Sequence, residues 1–309
     1  MTTPILHHYP PSLFSEKIRT LFGYLGVEWQ SVIIAPIMPR PHLMPLSGGY
    51  RKTPILQIGA NIYCDTEIIC RRLAALASGQ TLYANGFAAE RVARWADTEL
   101  FRTVVALNFR PEAIVAQMSQ MSQADLEAFQ KDRAELSAGT PIVTVDPASA
   151  EADFCGLLES LEASLKGQFL FGSNPSIADF SLYHCLWFVA GNEANKSLFE
   201  PWAEVKGYLA RMQAFGHGTY SEIDAETALK VGSEMEPVRP ANARVDAHLC
   251  GFSVGNAVTV APNDYGRIPV AGELVSLCDD EVAIERVDDV AGRVMVHFPN
   301  IGFEVKAGA

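Results

Sequence analysis

Two serines stand where a short apolar stretch gives way to a helical pattern. After Ser12 and Ser15, the apolar residues Ile18, Leu21 and Leu25 recur at helical spacing, which predicts a helix that starts near Ser15. The first backbone N–H groups of a helix have no partner within it and carry partial positive charge, so they favour an anion. A hydroxyl at Ser12 can add a hydrogen bond to a bound thiolate. The plain alternative is that Ser12 or Ser15 only caps the helix.

The chemistry that this arrangement offers is the activation of a thiol. A free thiol has a pKa of about 8.5, and lowering it by one unit takes about 1.4 kcal/mol of preferential stabilisation of the anion. One charge-assisted hydrogen bond together with a helix N-terminus supplies an effect of that size. The segment around Ser12 is therefore a candidate thiolate site.

Two further segments suit an extended, charged ligand. Thr53 and Pro54 come directly before an apolar run, and a cis peptide there would turn the preceding backbone N–H and C=O outward to pair with a ligand. Asp65 and Thr66 begin a second helical pattern, where free N–H groups bind a carboxylate and the Asp65 side chain binds an ammonium. The alternatives are a trans proline and an ordinary helix cap.

The first eighty residues alternate between strand and helix signals, and these elements must position the candidate segments. Gly59, Ala60 and Asn61 between two apolar runs indicate a hairpin with a three-residue loop. The order is βαβ followed by ββα. The predicted elements are a strand at 5–9, a helix from about 15 to 25, strands at 32–34, 55–58 and 62–64, and a helix at 66–76.

From 86 to about 230 the pattern is helical, and beyond 240 it returns to strands. The helical segments are rich in Ala, Leu and Glu and lack strand alternation. The last part carries short strands between turn signals, which favours a small β-barrel of SH3-like type. Helices are predicted at 88–109, 124–136, 150–165, 177–189 and 201–215, strands at 258–260, 274–277, 282–284 and 294–296, and turns at 263–266 and 288–289.

The composition excludes several classes of protein. The chain has 309 residues, a length for two or three domains. Its formal net charge of −12, without a dense run of Lys or Arg, argues against nucleic-acid binding. No apolar stretch is long enough to span a bilayer and the first residues lack signal-peptide features, so we expect a cytoplasmic protein with no membrane partner. The six cysteines are scattered, which argues against disulfides and against a metal site.

Four segments resemble, in the same order and at similar separations, motifs of the glutathione S-transferase superfamily. The matches extend over residues 4 to about 215. Two residues depart from the family pattern: Leu13 stands where the family usually has Pro, and Thr66 stands where it has Ser. The four segments are SLFSEKIR at 12–19, YRKTPIL at 50–56, YCDTEII at 63–69 and NPSIADF at 174–180.

The resemblance implies an α/β plus all-α fold with an added β domain. Its expected parts are a thioredoxin-like, glutathione-binding domain at 1–80, a helical-bundle domain at 86–232, and a small C-terminal β-barrel domain of unknown role at 240–309. A short linker near 78–85 would join the first two. In the helical part, Ser176 and Asp179 are expected to form a capping box with a structural role.

The resemblance also implies a glutathione site. Ser12 would activate the glutathione thiol, and Pro54 would be a cis-proline beside Thr53, whose backbone would bind the cysteinyl part. Asp65 and Thr66 would hold the γ-glutamyl end. The glycyl carboxylate would meet basic residues of the preceding loop, unless that loop is simply solvated: His42, Arg51 and Lys52.

The expected activity is conjugation of glutathione, as co-substrate and without a metal, to a small hydrophobic electrophile by a homodimer. One alternative is a non-catalytic scaffold of the same fold, which the Leu13 departure and the added β domain favour. Another is a glutathione-dependent isomerase or reductase, although Ser12 in place of cysteine argues against thiol–disulfide exchange through the protein.

Several other residues have both a chemical and a structural interpretation. Tyr9 is a rival of Ser12 for the thiol, and His7 and His8 lie on opposite faces of the first strand. Core packing is the simpler interpretation of all three. The same holds for the aromatic residues that would line an electrophile pocket, and for those that would form a recognition surface in the β domain: Trp95, Phe101 and Phe109 in the first group, Tyr265, His297 and Phe298 in the second.

Overall fold

The computed structural model of the chain describes residues 2–77, 81–118, 122–140, 145–249 and 251–308. The first part contains the predicted βαβ and ββα units, and the elements follow the predicted order. Part of the predicted linker, 78–80, lies outside the described residues. The elements are β1 (Ile5–His8), α1 (Leu13–Leu25), β2 (Trp29–Ile33), α2 (Met44–Ser47), β3 (Ile55–Ile58), β4 (Asn61–Cys64) and α3 (Thr66–Leu76).

The second part is helical, as predicted. The predicted helix at 88–109 consists of two helices joined by a single π-helical turn at Ala96–Leu100. A short 3-10 helix at Glu193–Phe199 also belongs to this part. The α-helices are α4 (Gly86–Trp95), α5 (Phe101–Asn108), α6 (Pro111–Met118), α7 (Gln123–Ser137), α8 (Pro147–Ser164), α9 (Ile177–Ala190) and α10 (Ala203–Gln213).

Strand β5 (Tyr220–Glu222) and helix α11 (Ala225–Glu234) return the chain to the first part, because β5 pairs in parallel with β2. Neither element was expected, and every residue of β5 is exposed, so it carries no alternating pattern. The domain boundaries at 80, 86, 232 and 240 remain predictions. The last strands are β6 (Ala257–Pro262), β7 (Val270–Leu277), β8 (Val282–Asp288), β9 (Gly292–Phe298) and β10 (Phe303–Ala307).

The ten strands of the described residues form one sheet, in the order β10-β6-β7-β8-β9-β4-β3-β1-β2-β5. The C-terminal β domain therefore exists, and it joins the thioredoxin-like sheet through parallel pairing of β4 with β9. Its five strands follow one another in the order β10-β6-β7-β8-β9, and β9 continues the first sheet. The SH3-like type of barrel expected from the sequence remains a prediction.

The sheet separates two hydrophobic cores. On one face, α1 and α3 pack together with the helical domain, and their shared core includes Phe22, Ile69 and Leu186. On the other face, α2 and α11 pack against the sheet, and side chains of the C-terminal strands belong to the same core. Ile55 and Val260 belong to that second core, so the β domain and the first domain are buried against each other rather than linked by a tether.

Five of the six cysteines lie in the described residues. Cys64, Cys70 and Cys185 are buried, while Cys155 and Cys278 are partly exposed, and all five are free thiols. Burial raises the pKa values of Cys64 and Cys185 well above the ordinary value. None of the described helices combines the length and the apolar character needed to cross a membrane.

A buried ion pair joins the first domain to the helical domain. Lys17 on α1, only 1% exposed, donates to Asp97 on the π-helical turn at 2.7 Å. Asp97 also accepts from His184 Nε2 at 2.9 Å and from Ser181 Oγ at 3.2 Å. Burial by itself would lower the pKa of Lys17, but the Asp97 carboxylate outweighs it and raises that pKa to about 12. The ammonium is therefore kept charged inside the domain interface.

We predict that Asp97→Asn lowers the free energy of unfolding by about 3 kcal/mol, because it leaves the Lys17 ammonium buried without a counter-charge. The double variant Lys17→Met with Asp97→Asn should lose less than Asp97→Asn alone, since methionine fills similar space without a charge. Urea unfolding of the wild type, both single variants and the double variant at neutral pH measures this coupling. Equal losses in Asp97→Asn and in the double variant would contradict it.

Candidate functional site

Three chain segments meet at one end of the sheet because of the strand register. His7 in β1 lies opposite Ile55 in β3, and Ile55 lies opposite Cys64 in β4. The chain therefore leaves β1, enters β3 and leaves β4 at the same end of the sheet. The segments that follow His7, precede Ile55 and follow Cys64 are the ones that contain Ser12, Pro54 and Asp65 respectively.

Ser12 is the N-cap of α1. Its backbone is extended, and its Oγ accepts a hydrogen bond from the Ser15 backbone N–H at 3.2 Å. An oxygen that accepts this bond still has its own proton to donate. The side chain is buried, with 4% of its surface exposed. Capping and donation to an anion are thus compatible roles of one hydroxyl, and the sequence had presented them as alternatives.

The Thr53–Pro54 peptide bond is cis. The segment around it is held by Arg40, a buried residue that the sequence analysis did not select. Arg40 donates from Nη1 to the Arg51 carbonyl and to Thr53 Oγ1, both at 2.9 Å. Burial lowers the pKa of Arg40 to about 10. These two hydrogen bonds hold the turn in place. The turn is the part of the chain with which a ligand backbone would pair.

Asp65 is the N-cap of α3 and has a positive φ of 97°, a conformation that only a few per cent of non-glycine residues adopt. Its carboxylate accepts from the Glu67 N–H at 3.0 Å. Burial raises the pKa of Asp65, and the nearby Lys52 ammonium offsets part of that rise. Thr66, the next residue, is buried. Strained backbone of this kind often occurs at ligand sites, and here it presents a carboxylate beside a helix N-terminus.

The three basic residues expected at the glycyl end have different surroundings. His42 is exposed on its loop. The Arg51 Nη2 donates to Asp132 of α7 at 2.6 Å, so its charge is used to hold the helical domain. Lys52 donates to Asp264 of the β domain, also at 2.6 Å. Among these three, Lys52 is the one that the structure places near Asp65.

The aromatic residues of the helical domain are spread out rather than gathered. Phe101 contacts Phe14, whose ring lies 5.0 Å away and which is two residues from Ser12. Trp95 faces a groove beside α8, lined also by Leu157, and Phe109 stacks on a phenylalanine of α7. Phe101 is therefore the member of the group that the structure brings to the Ser12 end of the cleft.

The histidines of β1 are core residues. His7 Nε2 is 2.8 Å from the Gln57 side-chain oxygen, and burial lowers the pKa of His7 to about 4. His8 contacts the Ser31 hydroxyl at 2.9 Å, and burial together with the nearby Arg19 lowers its pKa to about 3. Both rings are neutral near pH 7. Neither is placed to act as a base on the thiol.

Two of the three residues considered for a recognition surface in the β domain are buried instead. His297 lies between Glu281 and Asn61, at 2.6 and 2.9 Å, and stacks on the Tyr63 ring. Phe298 is a fully buried core residue. Their burial follows from the pairing of β9 with β4, which turns that end of β9 into the middle of a sheet.

The third of these residues, Tyr265, reaches the candidate site. Its ring is 6.5 Å from Phe101 and is covered at 4.2 Å by the Lys52 ammonium. Burial raises the pKa of Tyr265, with further contributions from Asp264, Asp65 and Tyr9. The loop between β6 and β7 thus lies over the end of the sheet where the segments with Ser12, Pro54 and Asp65 meet. The sequence presented 263–266 only as a turn.

Tyr50 adds an unsatisfied polar group at the same place. Its hydroxyl is buried and has no hydrogen-bond partner among the described residues. Burial raises its pKa well above the ordinary value, and Asp65, Cys64, Tyr265 and Asp264 raise it further. No pattern in the sequence distinguished it from a core aromatic residue.

The predicted capping box lies away from this cleft, at the start of α9. Asp179 accepts hydrogen bonds from the Ser176 N–H at 2.8 Å and from Ser176 Oγ at 2.9 Å. It also accepts from the Leu170 N–H at 2.8 Å. The pair therefore ties the preceding loop to the central helix. Across the part of the chain that the structure describes, no cluster of His, Cys, Asp and Glu could hold a metal ion.

Comparison with known proteins agrees with the fold. The family described as glutathione S-transferase, N-terminal domain, matches residues 6–81, and the corresponding C-terminal domain matches residues 148–211. A search of curated protein sequences finds no match.

Solved structures give a longer match. The chain is 38% identical to a GST-like protein from Pseudomonas syringae, with all of both chains covered and a TM-score of 0.79. Poplar glutathione transferase F1 is 15% identical, over 69% of this chain and 93% of that one, with a TM-score of 0.50, a likeness that shows the fold alone. Full-length similarity at 38% identity settles the family: the chain belongs to the glutathione S-transferase superfamily.

Proposed function

We propose that this protein binds glutathione at the edge formed by Ser12, Pro54 and Asp65, stabilises its thiolate, and transfers the sulfur to a small apolar electrophile. The observation that carries the proposal is the meeting of two helix N-termini and a cis-proline turn at one end of the sheet. Each helix N-terminus favours an anion. The turn between them leaves backbone groups that an extended peptide can pair with.

The charges of the site match the parts of glutathione. The γ-glutamyl end carries an ammonium and a carboxylate, and the start of α3 offers the Asp65 carboxylate together with free backbone N–H groups. The cysteinyl part would pair with the backbone at Thr53. Its sulfur would then lie at the start of α1, within reach of the Ser12 hydroxyl proton.

The reaction needs little more than an ionised sulfur and a neighbouring electrophile. The thiolate forms a bond to an electrophilic carbon. In a substitution, the leaving group departs with the electron pair of the broken bond, and in an addition, the resulting anion takes a proton from water. Phe14 and Phe101 provide an apolar wall beside Ser12, which suits an apolar electrophile. Holding both reactants there lowers the entropic part of the barrier.

A non-catalytic binding role is the second candidate, and the burial of Ser12 favours it. In that case the fold would hold glutathione, or another ligand, without turnover, and the β domain would serve a partner. Two further parts of the proposal are a cytoplasmic location, which we expected from the sequence features, and a homodimer, which the family resemblance implies. Isothermal calorimetry with glutathione and turnover of a generic electrophile separate binding from catalysis.

We predict that Ser12→Ala raises the pKa of the bound glutathione thiol by about one unit, because one charge-assisted hydrogen bond to the sulfur is lost. Conjugation near pH 7 should then fall about tenfold, and the loss should shrink as the pH approaches the pKa of the free thiol, about 8.5. The thiolate absorbance of the enzyme with saturating glutathione, followed as a function of pH, measures the shift without knowledge of the electrophile.

Ser15→Ala is the matched control for this experiment. The Ser15 hydroxyl is buried on the same helical turn and has no hydrogen-bond partner in the described structure, so its removal should leave the thiol pKa unchanged. An unchanged thiol pKa in Ser12→Ala would remove Ser12 from the mechanism. A shift in Ser15→Ala alone would assign the role to Ser15.

We also predict that Asp65→Asn weakens glutathione binding about tenfold near pH 7, because the ligand ammonium loses its charged partner. In the wild type the affinity should fall as the pH drops through the raised pKa of Asp65, since protonation removes the charge that the ammonium needs. That part of the pH dependence should disappear in the variant. Asparagine tolerates a positive φ and can still cap the helix.

Asp224→Asn is the control for Asp65→Asn. Asp224 is also a helix N-cap, which accepts from the Thr227 N–H of α11 at 2.7 Å, but it is not part of the proposed site. Calorimetry from pH 4 to 8 compares the two variants with the wild type. Equal affinity of Asp65→Asn and wild type at neutral pH would show that the γ-glutamyl end binds elsewhere.

A further inference from the structure

The loop between β6 and β7 is firmly held over the proposed cleft. The Asn263 N–H donates to the Gly302 carbonyl at 2.9 Å, and the Gly266 N–H donates to the Leu136 carbonyl of α7 at 3.0 Å. Gly266 has a φ of +64°, and a Cβ there would come within 3.0 Å of the Leu136 side chain. The two residues between these anchors, Asp264 and Tyr265, therefore have a defined position rather than a free one.

The Asp264 carboxylate forms an ion pair with the Lys52 ammonium. The two charged atoms are 2.6 Å apart, and the Tyr265 ring covers the same ammonium at 4.2 Å. The Lys52 side chain is consequently only 13% exposed, whereas the Asp264 side chain is 41% exposed. Lys52, which directly precedes the Thr53–Pro54 turn, therefore already has a carboxylate of the protein as its partner.

The position of Lys52 makes this pairing relevant to the ligand. A tripeptide whose cysteinyl backbone pairs with Thr53 has its last residue next to that pairing, and Lys52 directly precedes Thr53 in the chain. Of the basic residues expected there, Arg51 is paired with Asp132 of α7. The Lys52 ammonium also has an anion already. A terminal carboxylate that binds Lys52 must displace Asp264 or lie next to it.

We infer that Asp264 is a specificity-determining residue, which competes with the terminal carboxylate of the ligand for Lys52 and so favours γ-glutamyl-cysteinyl thiols whose terminal carboxyl group is esterified, amidated or absent. This inference rests on the proposed glutathione site. The competition is electrostatic and local, because two carboxylates next to a single ammonium repel each other. The added β domain then sets which γ-glutamyl thiols bind, while the thiol chemistry remains with the first domain.

Calorimetry of the full-length protein with two probes tests the inference: glutathione, and glutathione esterified with ethanol at its glycyl carboxyl group. The wild type should bind the ester about fivefold more tightly than glutathione, the size expected for a partly exposed ion pair. Asp264→Asn should gain about fivefold for glutathione and should leave the ester nearly unchanged.

Asp289→Asn is the matched control, because it removes the same charge from an exposed turn of the same β domain, between β8 and β9. It should change neither affinity. An unchanged ratio of the two affinities in Asp264→Asn, an equal gain for both probes, or weaker glutathione binding would each overturn the role of Asp264. Absence of heat with both probes in all variants would instead overturn the proposed glutathione site itself, and the inference with it.

Discussion

The parallel pairing of β4 with β9 is the constraint on which the arrangement of this molecule depends. Without it, β4 would be an unpaired edge of the thioredoxin-like sheet, open to association with other chains. Asn61 pairs with Met295 and Tyr63 with His297, so the edge is closed by residues from the far end of the chain. The same pairing places the β domain beside α2 and merges its core with that of the first domain. The loop with Asp264 reaches the cleft because of that docking.

Local patterns in the sequence were sufficient to predict most helices and strands. They could not predict contacts between residues that are far apart in the chain. The helix at 66–76 begins and ends as its apolar spacing predicts, and the cis bond at Pro54 agrees with the family resemblance. The contact between Lys52 and Asp264 joins residues 212 positions apart. Asn, Asp and Gly at 263–266 also look like any solvent-exposed turn. The sequence could therefore indicate Ser12 as a candidate residue, but it could not indicate Asp264 as the partner of Lys52.

The sequence also did not predict that polar residues of α1 are buried. Glu16 and Lys17 lie off the apolar stripe of the helix, which ordinarily indicates a solvated face. Both are buried because the helical domain covers that side of α1 as well. Each receives partners from afar: Lys17 pairs with Asp97, and Glu16 accepts from the Tyr183 hydroxyl at 3.0 Å. Only the tertiary fold can show that a polar face is an interface, since the helical period is the same in either case.

The structure divides the candidate site between two kinds of interaction with different physical properties. At Ser12 and Asp65, helix N-termini and fixed backbone present the polar groups, and Ser12 is almost fully buried. At the other part of the site, a partly exposed pair of side chains, Lys52 and Asp264, presents the charge. Exposed charges are screened by salt and are easily altered by substitution, whereas buried backbone dipoles are not. Substitutions in the β domain can therefore change the charge beside Lys52 while the geometry at Ser12 and Asp65 stays intact.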